Sequence, residues 1–168
     1  PGINRSFISE QWVNLVPDGL SDEVRDEADA LANYDIELDI HGYDIDQNMI
    51  DIAQENSRAA GLTHDITFKQ LAVKDWQTSK VNGVIVANPP YGERLSDKES
   101  VHELYRQMGE LYRPLTTWSK YILTADMEFE KYYGTPATKR RKLYNGALRT
   151  DLYQYWGKKD RSKIKTLK

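Results

Sequence analysis

Cysteine is missing from all 168 residues. That absence excludes disulfides, thiolate zinc sites and cysteine nucleophiles together. Histidine is scarce as well: His41, His64 and His102 are scattered along the chain, so no metal site is expected. No stretch approaches the roughly 18 uncharged apolar residues that a membrane span needs. No apolar signal-peptide core follows the first residues either. The expectation is a protein of the reducing cytoplasm, with no membrane partner.

What is present is an ordinary globular balance, 39% hydrophobic and 29% charged. At 19.5 kDa the chain has room for one domain with a genuine core. The net charge of −3 hides an asymmetry. From Lys139 onward eleven Lys or Arg face only Asp151 and Asp160, a net +9, which leaves −12 on residues 1–138. A basic end on an acidic body points to a polyanion partner such as nucleic acid. A solvated basic tail is the alternative for the last residues. The first residue is Pro1, and the run Pro1-Gly2-Ile3-Asn4-Arg5 reads like the middle of a longer protein.

Periodicity organises the rest. Residues 21–33 predict a helix capped by Ser21, with Val24, Ala28 and Leu31 on one face. Residues 36–43 alternate as a strand before the acidic turn Asp44-Ile45-Asp46. Residues 47–60 have helical spacing and stop at Gly61, and residues 66–73 read as a strand ending near Asp75. Residues 83–87 form a continuous apolar run, the pattern of a strand buried on both faces. Ser100 and Glu103 form a capping box ahead of a stripe from Val101 to Leu115, which Pro114 should end. A strand at 121–124, a short helix at 128–133 and two strand-like pieces over 142–156 around Asn145-Gly146 complete the chain. This alternation is that of an open α/β sheet with mostly parallel strands, whose ligands sit at the carboxyl ends of strands. Those ends place Asp44, Asp75 and residues 88–91 at the candidate site.

Asn88-Pro89-Pro90-Tyr91 is the most informative tetrapeptide. Two prolines fix the backbone and remove two donors while keeping their carbonyl acceptors. The Asn amide oxygen adds an acceptor, and Tyr91 adds a planar face. Such a set suits the exocyclic amine of a nucleobase. A strand-ending turn with no chemistry is the alternative.

The same tetrapeptide resembles the catalytic motif of class I S-adenosylmethionine-dependent amino-methyltransferases. The longer string Asn88-Pro89-Pro90-Tyr91-Gly92-Glu93-Arg94-Leu95 is similar to the THUMP-associated RNA methyltransferases that modify guanine N2 in 23S ribosomal RNA. The likeness extends through Pro1 to Arg5 with Trp12, through Gly42-Tyr43-Asp44-Ile45-Asp46, and through Lys139 to Gly146. It implies a Rossmann-like sheet of order 3-2-1-4-5-7-6, and residues 1–157 as the C-terminal portion of a catalytic domain. Residues 158–168 are then a flexible basic tail. Asp44 would hold the ribose hydroxyls of S-adenosylmethionine, Ile45 would pack on its adenine, and Asp46 is read as a helix cap. Asp75 would accept from the adenine amine, with a backbone N–H of Trp76 on the ring. Asn88, Pro89, Pro90 and Tyr91 would be catalytic. Lys139, Arg140, Arg141 and Lys142, ahead of the final hairpin, would meet RNA phosphates. Arg94 would join them or simply pair with Glu93.

One departure stands out. The glycine-rich first cofactor motif has no counterpart, since no Gly-x-Gly occurs and no Cys exists. Strand 1, central in the expected order, is therefore expected to be missing, together with the THUMP region. An upstream segment of the same protein is the expected partner for both, with ribosomal RNA as substrate. Adenine-N6 or glutamine-amide methylation, and an inactive nucleic-acid-binding module on the same fold, remain the rivals.

Overall fold

The computed structural model describes residues 6–33, 35–91 and 98–158. They fall into two compact units, residues 1–70 and residues 71–168. Arg94 and Glu93, the run Pro1 to Arg5, and the tail from residue 159 lie outside the described residues.

In the first unit a 3-10 turn, Ile8–Gln11, precedes α1 (Leu20–Ala30), β1 (Ile40–Asp44), α2 (Gln47–Ala59) and β2 (Ile66–Gln70). β1 and β2 pair in parallel, Ile40 opposite Ile66 through Asp44 opposite Gln70. α2 covers them with Ile50, which is buried. Gly42 lets the ring of Phe68 lie over β1: a Cβ there would fall 2.5 Å from Phe68 Cδ1. Asp46 caps α2 by accepting from the Asn48 amide at 2.8 Å, as its place after the strand implies. Ser21 does not cap α1. The helix already begins at Leu20, behind Gly19 at φ +81°, a backbone that suits glycine.

The second unit holds β3 (Val84–Ala87), α3 (Lys98–Tyr112), β4 (Ser119–Thr124), α4 (Phe129–Tyr133), β5 (Lys139–Asn145) and β6 (Leu148–Tyr155). Its four-stranded sheet has the order β3-β4-β6-β5. β3 and β4 are parallel, while β6 is antiparallel to both of its neighbours. Removing strand 1 from the order 3-2-1-4-5-7-6 leaves a pair 3-2 and a quartet 4-5-7-6. Those are the two sheets observed.

α3 and α4 pack on one face of the quartet, around Tyr105, Met108, Ile122, Phe129, Tyr133, Tyr153 and Tyr155. The other face is less covered. Val84 and Val86 of β3 are 63% and 79% exposed, so burial on both faces, which the apolar run predicts, is corrected. β3 is hydrogen-bonded to β4 alone among the described strands, and its alternate residues point away from α3. Ser100 is likewise not a cap, because α3 is already helical at Lys98. The helix ends at Tyr112, two residues before Pro114, whose ring cannot continue it. Gly146 turns the final hairpin at φ +61°. The chain stays tied to the unit through Lys158, whose amide donates to the Thr116 carbonyl at 2.8 Å. No helix among the described residues is long and apolar enough to cross a membrane.

Candidate active site

Asn88 follows β3 directly, with its side chain exposed, while Pro89 is buried behind it. The Tyr91 hydroxyl donates to Asn88 Oδ1 at 2.6 Å. The next residue back, Pro90, turns its carbonyl into the protein, where the Tyr105 hydroxyl donates to it at 3.1 Å. Of the two proline carbonyls that the sequence offers as acceptors, Pro90's is therefore engaged by the core. Tyr105 is fully buried, and loss of solvation pushes its hydroxyl pKa up to about 12. It also lies 3.0 Å from Thr124 Oγ1, at the carboxyl end of β4.

Asp126, just beyond Thr124, closes this region. Its amide donates to Thr124 Oγ1, its Oδ1 accepts from the Glu128 amide, and its Oδ2 lies 3.1 Å from His102 Nε2. The His102 ring stacks on Tyr132 with centroids 3.6 Å apart. Sequence reasoning missed Tyr105, Thr124, Asp126 and His102. The strand-end rule that singles out Asp44, Asp75 and Asn88 applies equally to Thr124, whereas Tyr105 was hidden in an apolar stripe.

The expected cofactor residues divide between the units. Asp44, at the end of β1 in the first, accepts the Asp46 amide on Oδ1 at 2.8 Å. A carboxylate has four lone-pair directions, so acceptor capacity for a diol remains. Ile45 is 71% exposed, an apolar side chain open to a planar ring. In the second unit Asp75 ends a 3-10 turn, Val73–Asp75, and is exposed. Trp76 is a correction. Its amide, expected on the adenine ring, donates to the Val73 carbonyl at 3.1 Å, because the turn consumes it. Its indole packs edge-on to Tyr112 and Trp118, at 5.7 and 6.0 Å between centroids.

The basic run also differs from its expected setting. Lys139 to Lys142 are not ahead of the hairpin but inside its first strand, β5, at the edge of the sheet. Cationic side chains there discourage pairing with another chain, a structural use beside any contact with phosphate. Arg140 is committed elsewhere. It pairs with the buried Asp151 at 2.9 Å and lies 5.4 Å from the Tyr153 ring centroid. Asp151 also takes Arg149 at 3.2 Å on the same oxygen, and its Oδ1 is buried with no hydrogen-bond partner. Lys139, Arg141 and Lys142 are exposed.

Comparison with known proteins decides the family. The family description "RMKL-like, methyltransferase domain" matches residues 1–154. The chain belongs to this family. YpsC of Bacillus subtilis strain 168, provisionally named an RNA methyltransferase, is 51% identical over 158 residues, covering 94% of the chain and 41% of YpsC. A ribosomal RNA large subunit methyltransferase K/L from Syntrophotalea carbinolica is 38% identical over 119 residues, covering 68% of the chain and 17% of that enzyme. The chain thus spans well under half of the curated relatives that it matches. Among solved structures, SMU.472, a provisional methyltransferase crystallised with S-adenosylhomocysteine, superposes with TM-score 0.85 at 50% identity. It covers 95% of the chain, which in turn covers 42% of SMU.472. A protein from Listeria monocytogenes, provisionally described as an N6-adenine-specific DNA methylase, gives TM-score 0.82 at 54% identity, covering 94% of the chain and 40% of its own. These likenesses establish the Rossmann-like methyltransferase fold, and both sheets keep its strand order.

Proposed function

We propose that this chain carries the catalytic motif of an S-adenosylmethionine-dependent RNA methyltransferase, acting on an exocyclic base amine, guanine N2 of ribosomal RNA. The observation that carries the reading is the Asn88-to-Tyr91 loop. It leaves β3 at the strand's carboxyl end, its Asn88 is exposed, and its Pro90 carbonyl is held from inside. The names of YpsC and of the K/L enzyme support RNA as substrate, and the ligand in SMU.472 supports the cofactor.

The residues fit that cofactor in part. In the first unit Asp44 retains acceptor capacity for the ribose hydroxyls and Ile45 presents an open apolar surface to a planar ring. In the second unit, taken by itself, Asp75 is an exposed acceptor for an amine. Trp76 lends packing and not an amide. When bound, S-adenosylmethionine would supply an electrophilic methyl on its sulfonium sulfur, with the neutral thioether as the leaving group.

The chain's own residues do the alignment. Asn88 Oδ1 and the Pro89 carbonyl accept the two amine hydrogens, drawing the nitrogen lone pair out of conjugation with the ring. Acceptors fixed in advance also stabilise the positive charge that develops on that nitrogen. Tyr91 stacks on the base, which leaves its own stack at a cost of a few kcal/mol. Alignment of this kind lowers barriers by about 7–11 kcal/mol where the geometry is good. Lys139, Arg141 and Lys142 contact RNA phosphates.

A second reading, adenine N6 as target, has one observation in its favour, the description of the Listeria protein. The same acceptors suit either amine. The test is to incubate the intact protein and labelled cofactor with RNA and DNA, digest both, and identify the methylated nucleoside. N2-methylguanosine supports the first reading and N6-methyladenosine the second; no methylated nucleoside refutes both. Asn88→Ala should lower kcat at least about a hundredfold, the scale of losing one fixed polar contact in a transition state. Its melting temperature should stay unchanged, since the side chain is exposed.

A further inference from the structure

The Asn88-to-Tyr91 loop has an unusual mechanical problem. Pro89 and Pro90 carry no N–H, so two consecutive residues offer the protein no backbone donor by which to hold them. Only their carbonyls can be gripped. We propose that Tyr105 is a positioning residue for methyl transfer: from the core it grips the Pro90 carbonyl and so fixes the orientation in which Asn88 and Tyr91 are presented. The proposal rests on the catalytic reading of that motif given above.

The direction of the hydrogen bonds follows from counting protons. Tyr105 Oη lies 3.1 Å from the Pro90 oxygen and 3.0 Å from Thr124 Oγ1, and it has one hydrogen to give. A carbonyl cannot donate. If the Tyr105 hydrogen went to Thr124, two bare oxygens would face each other at 3.1 Å inside the protein. The hydrogen therefore goes to Pro90, and Thr124 donates to Tyr105. Thr124 in turn accepts from the Asp126 amide at 3.1 Å. A single polarised chain results, running Asp126 to Thr124 to Tyr105 to Pro90, and each bond in such a chain strengthens the next.

Both ends of the chain are anchored. At the far end Asp126 is held through each carboxylate oxygen and through its carbonyl, which accepts from the Tyr153 hydroxyl at 3.4 Å. At the near end the Pro90 carbonyl shares its peptide plane with the Tyr91 nitrogen. Fixing that plane sets the direction in which the Tyr91 side chain leaves the loop, and Tyr91 reaches Asn88 Oδ1 from there. Burial keeps Tyr105 protonated well above neutrality, so the donor is present under all physiological conditions.

A purely structural role would satisfy the same contacts, and Tyr155 supplies the matched control. Its buried hydroxyl also donates to a backbone carbonyl, that of Thr135 at 3.2 Å, on a segment with no part in the motif. In the intact protein, Tyr105→Phe and Tyr155→Phe each remove one bond to a backbone carbonyl. Tyr105→Phe also takes the acceptor from Thr124, so it should lower the melting temperature at least as much as Tyr155→Phe. Only Tyr105→Phe should lower kcat, by about tenfold to a hundredfold as for a small misplacement of reacting groups, with KM for cofactor and RNA within about twofold of wild type. Only Tyr105→Phe should speed amide hydrogen exchange in the peptide covering residues 84–91. Thr124→Val, which keeps volume while removing the hydroxyl that feeds Tyr105, should shift both readouts the same way and carries the test if Tyr105→Phe does not fold. Equal kcat for the two tyrosine variants, or equal exchange over residues 84–91, overturns the proposal. If the wild-type protein transfers no methyl group, the proposed function falls instead. Exchange alone then judges Tyr105: faster exchange upholds its grip on the loop, and unchanged exchange removes it.

Discussion

The Tyr91 hydroxyl donates to Asn88 Oδ1 at 2.6 Å, so the acceptor assigned to the base amine already has a partner three residues away. The two functions are compatible, because an amide oxygen has two lone pairs. Tyr91 takes one of them and thereby dictates which end of the Asn88 amide faces which way. The other remains for an incoming N–H. Tyr91 is thus more than a stacking surface, since its hydroxyl orients the neighbouring acceptor.

That dual role separates two substitutions. Tyr91→Phe keeps the ring and loses the orienting bond, so kcat should fall by about tenfold, the worth of one hydrogen bond of about 1.4 kcal/mol, with KM for RNA unchanged. Tyr91→Ala loses the ring as well, and base stacking is worth about 1–3 kcal/mol, so KM for RNA should rise in addition. Steady-state kinetics on the intact protein distinguish them. A Tyr91→Phe enzyme with wild-type kcat would show that Asn88 is oriented by something else.

The contrast between Tyr91 and Tyr105 shows what the sequence could and could not reveal. Tyr91 stands in a short motif whose residue types advertise hydrogen-bond chemistry. Tyr105 recurs with Val101, Met108 and Tyr112 on one helical face. Periodicity registers its ring as core, which is correct, and is blind to the hydroxyl at the ring's end. Arg140 was obscured for a different reason. Its partner Asp151 is eleven residues further on and comes close only when the hairpin sets Arg140 opposite Tyr153 and Lys142 opposite Asp151. Caps were legible where a polar side chain preceded a helix cleanly, as at Asp46. They were not at Ser21 and Ser100, which lie inside helices that already begin at Leu20 and Lys98.

Arg140 should accordingly behave unlike its neighbours. Replacing Lys139, Arg141 and Lys142 with Gln should weaken RNA binding and reduce the slope of log affinity against log salt by about 0.7–0.9 for each phosphate no longer neutralised. The melting temperature should not move, because all three side chains are exposed. Arg140→Gln should instead destabilise by about 1–3 kcal/mol, since it removes a charged partner from a buried carboxylate. Thermal melts and salt titrations of the two variants suffice. A weaker affinity with an unchanged salt slope would mean that the edge strand does not touch phosphate.

Alkaline stability follows from the tyrosine-rich core. Burial raises the pKa values of Tyr105, Tyr112, Tyr133, Tyr153 and Tyr155 above the ordinary 10.0. The folded state then holds these protons more tightly than the unfolded state. Their stabilising contribution is complete below pH 10.0 and is lost as pH rises through the folded-state values, Tyr105's being about 12. Lys120 runs the other way: burial lowers its pKa from 10.5, so its charged form costs stability below the folded value and that cost is relieved as pH rises. Above pH 10.5 Lys120 no longer changes stability, whereas the tyrosines still do, together with Lys131, whose pair with Glu128 raises its pKa above 10.5. Tyrosinate absorbance should therefore appear in two phases, the exposed rings first and the five buried ones only together with loss of circular dichroism. A single phase near the ordinary pKa in a protein that stays folded would contradict the burial of these hydroxyls.

Gly109 offers the sharpest test of how the motif is supported. It sits on the buried face of α3, where a Cβ would fall 2.1 Å from the Tyr133 carbonyl oxygen at the end of α4. That neighbour is backbone, so no rotamer change can relieve the clash, and one helix must move from the other. Overpacking of this kind costs about 1–3 kcal/mol. For a domain the size of the second unit this is a fall in melting temperature of about 4–8 °C per kcal/mol. The displacement also reaches the site, because Gly109 lies one helical turn from Tyr105 on the same helix. Gly109→Ala should therefore lower kcat as well as stability. A Leu111→Ala variant, which only trims a half-buried side chain on the same helix, should lower stability with a much smaller loss of turnover. Melting curves and kcat measured together decide it: equal turnover in the two variants at matched stability would show that the position of α3 does not matter to the Pro90 carbonyl.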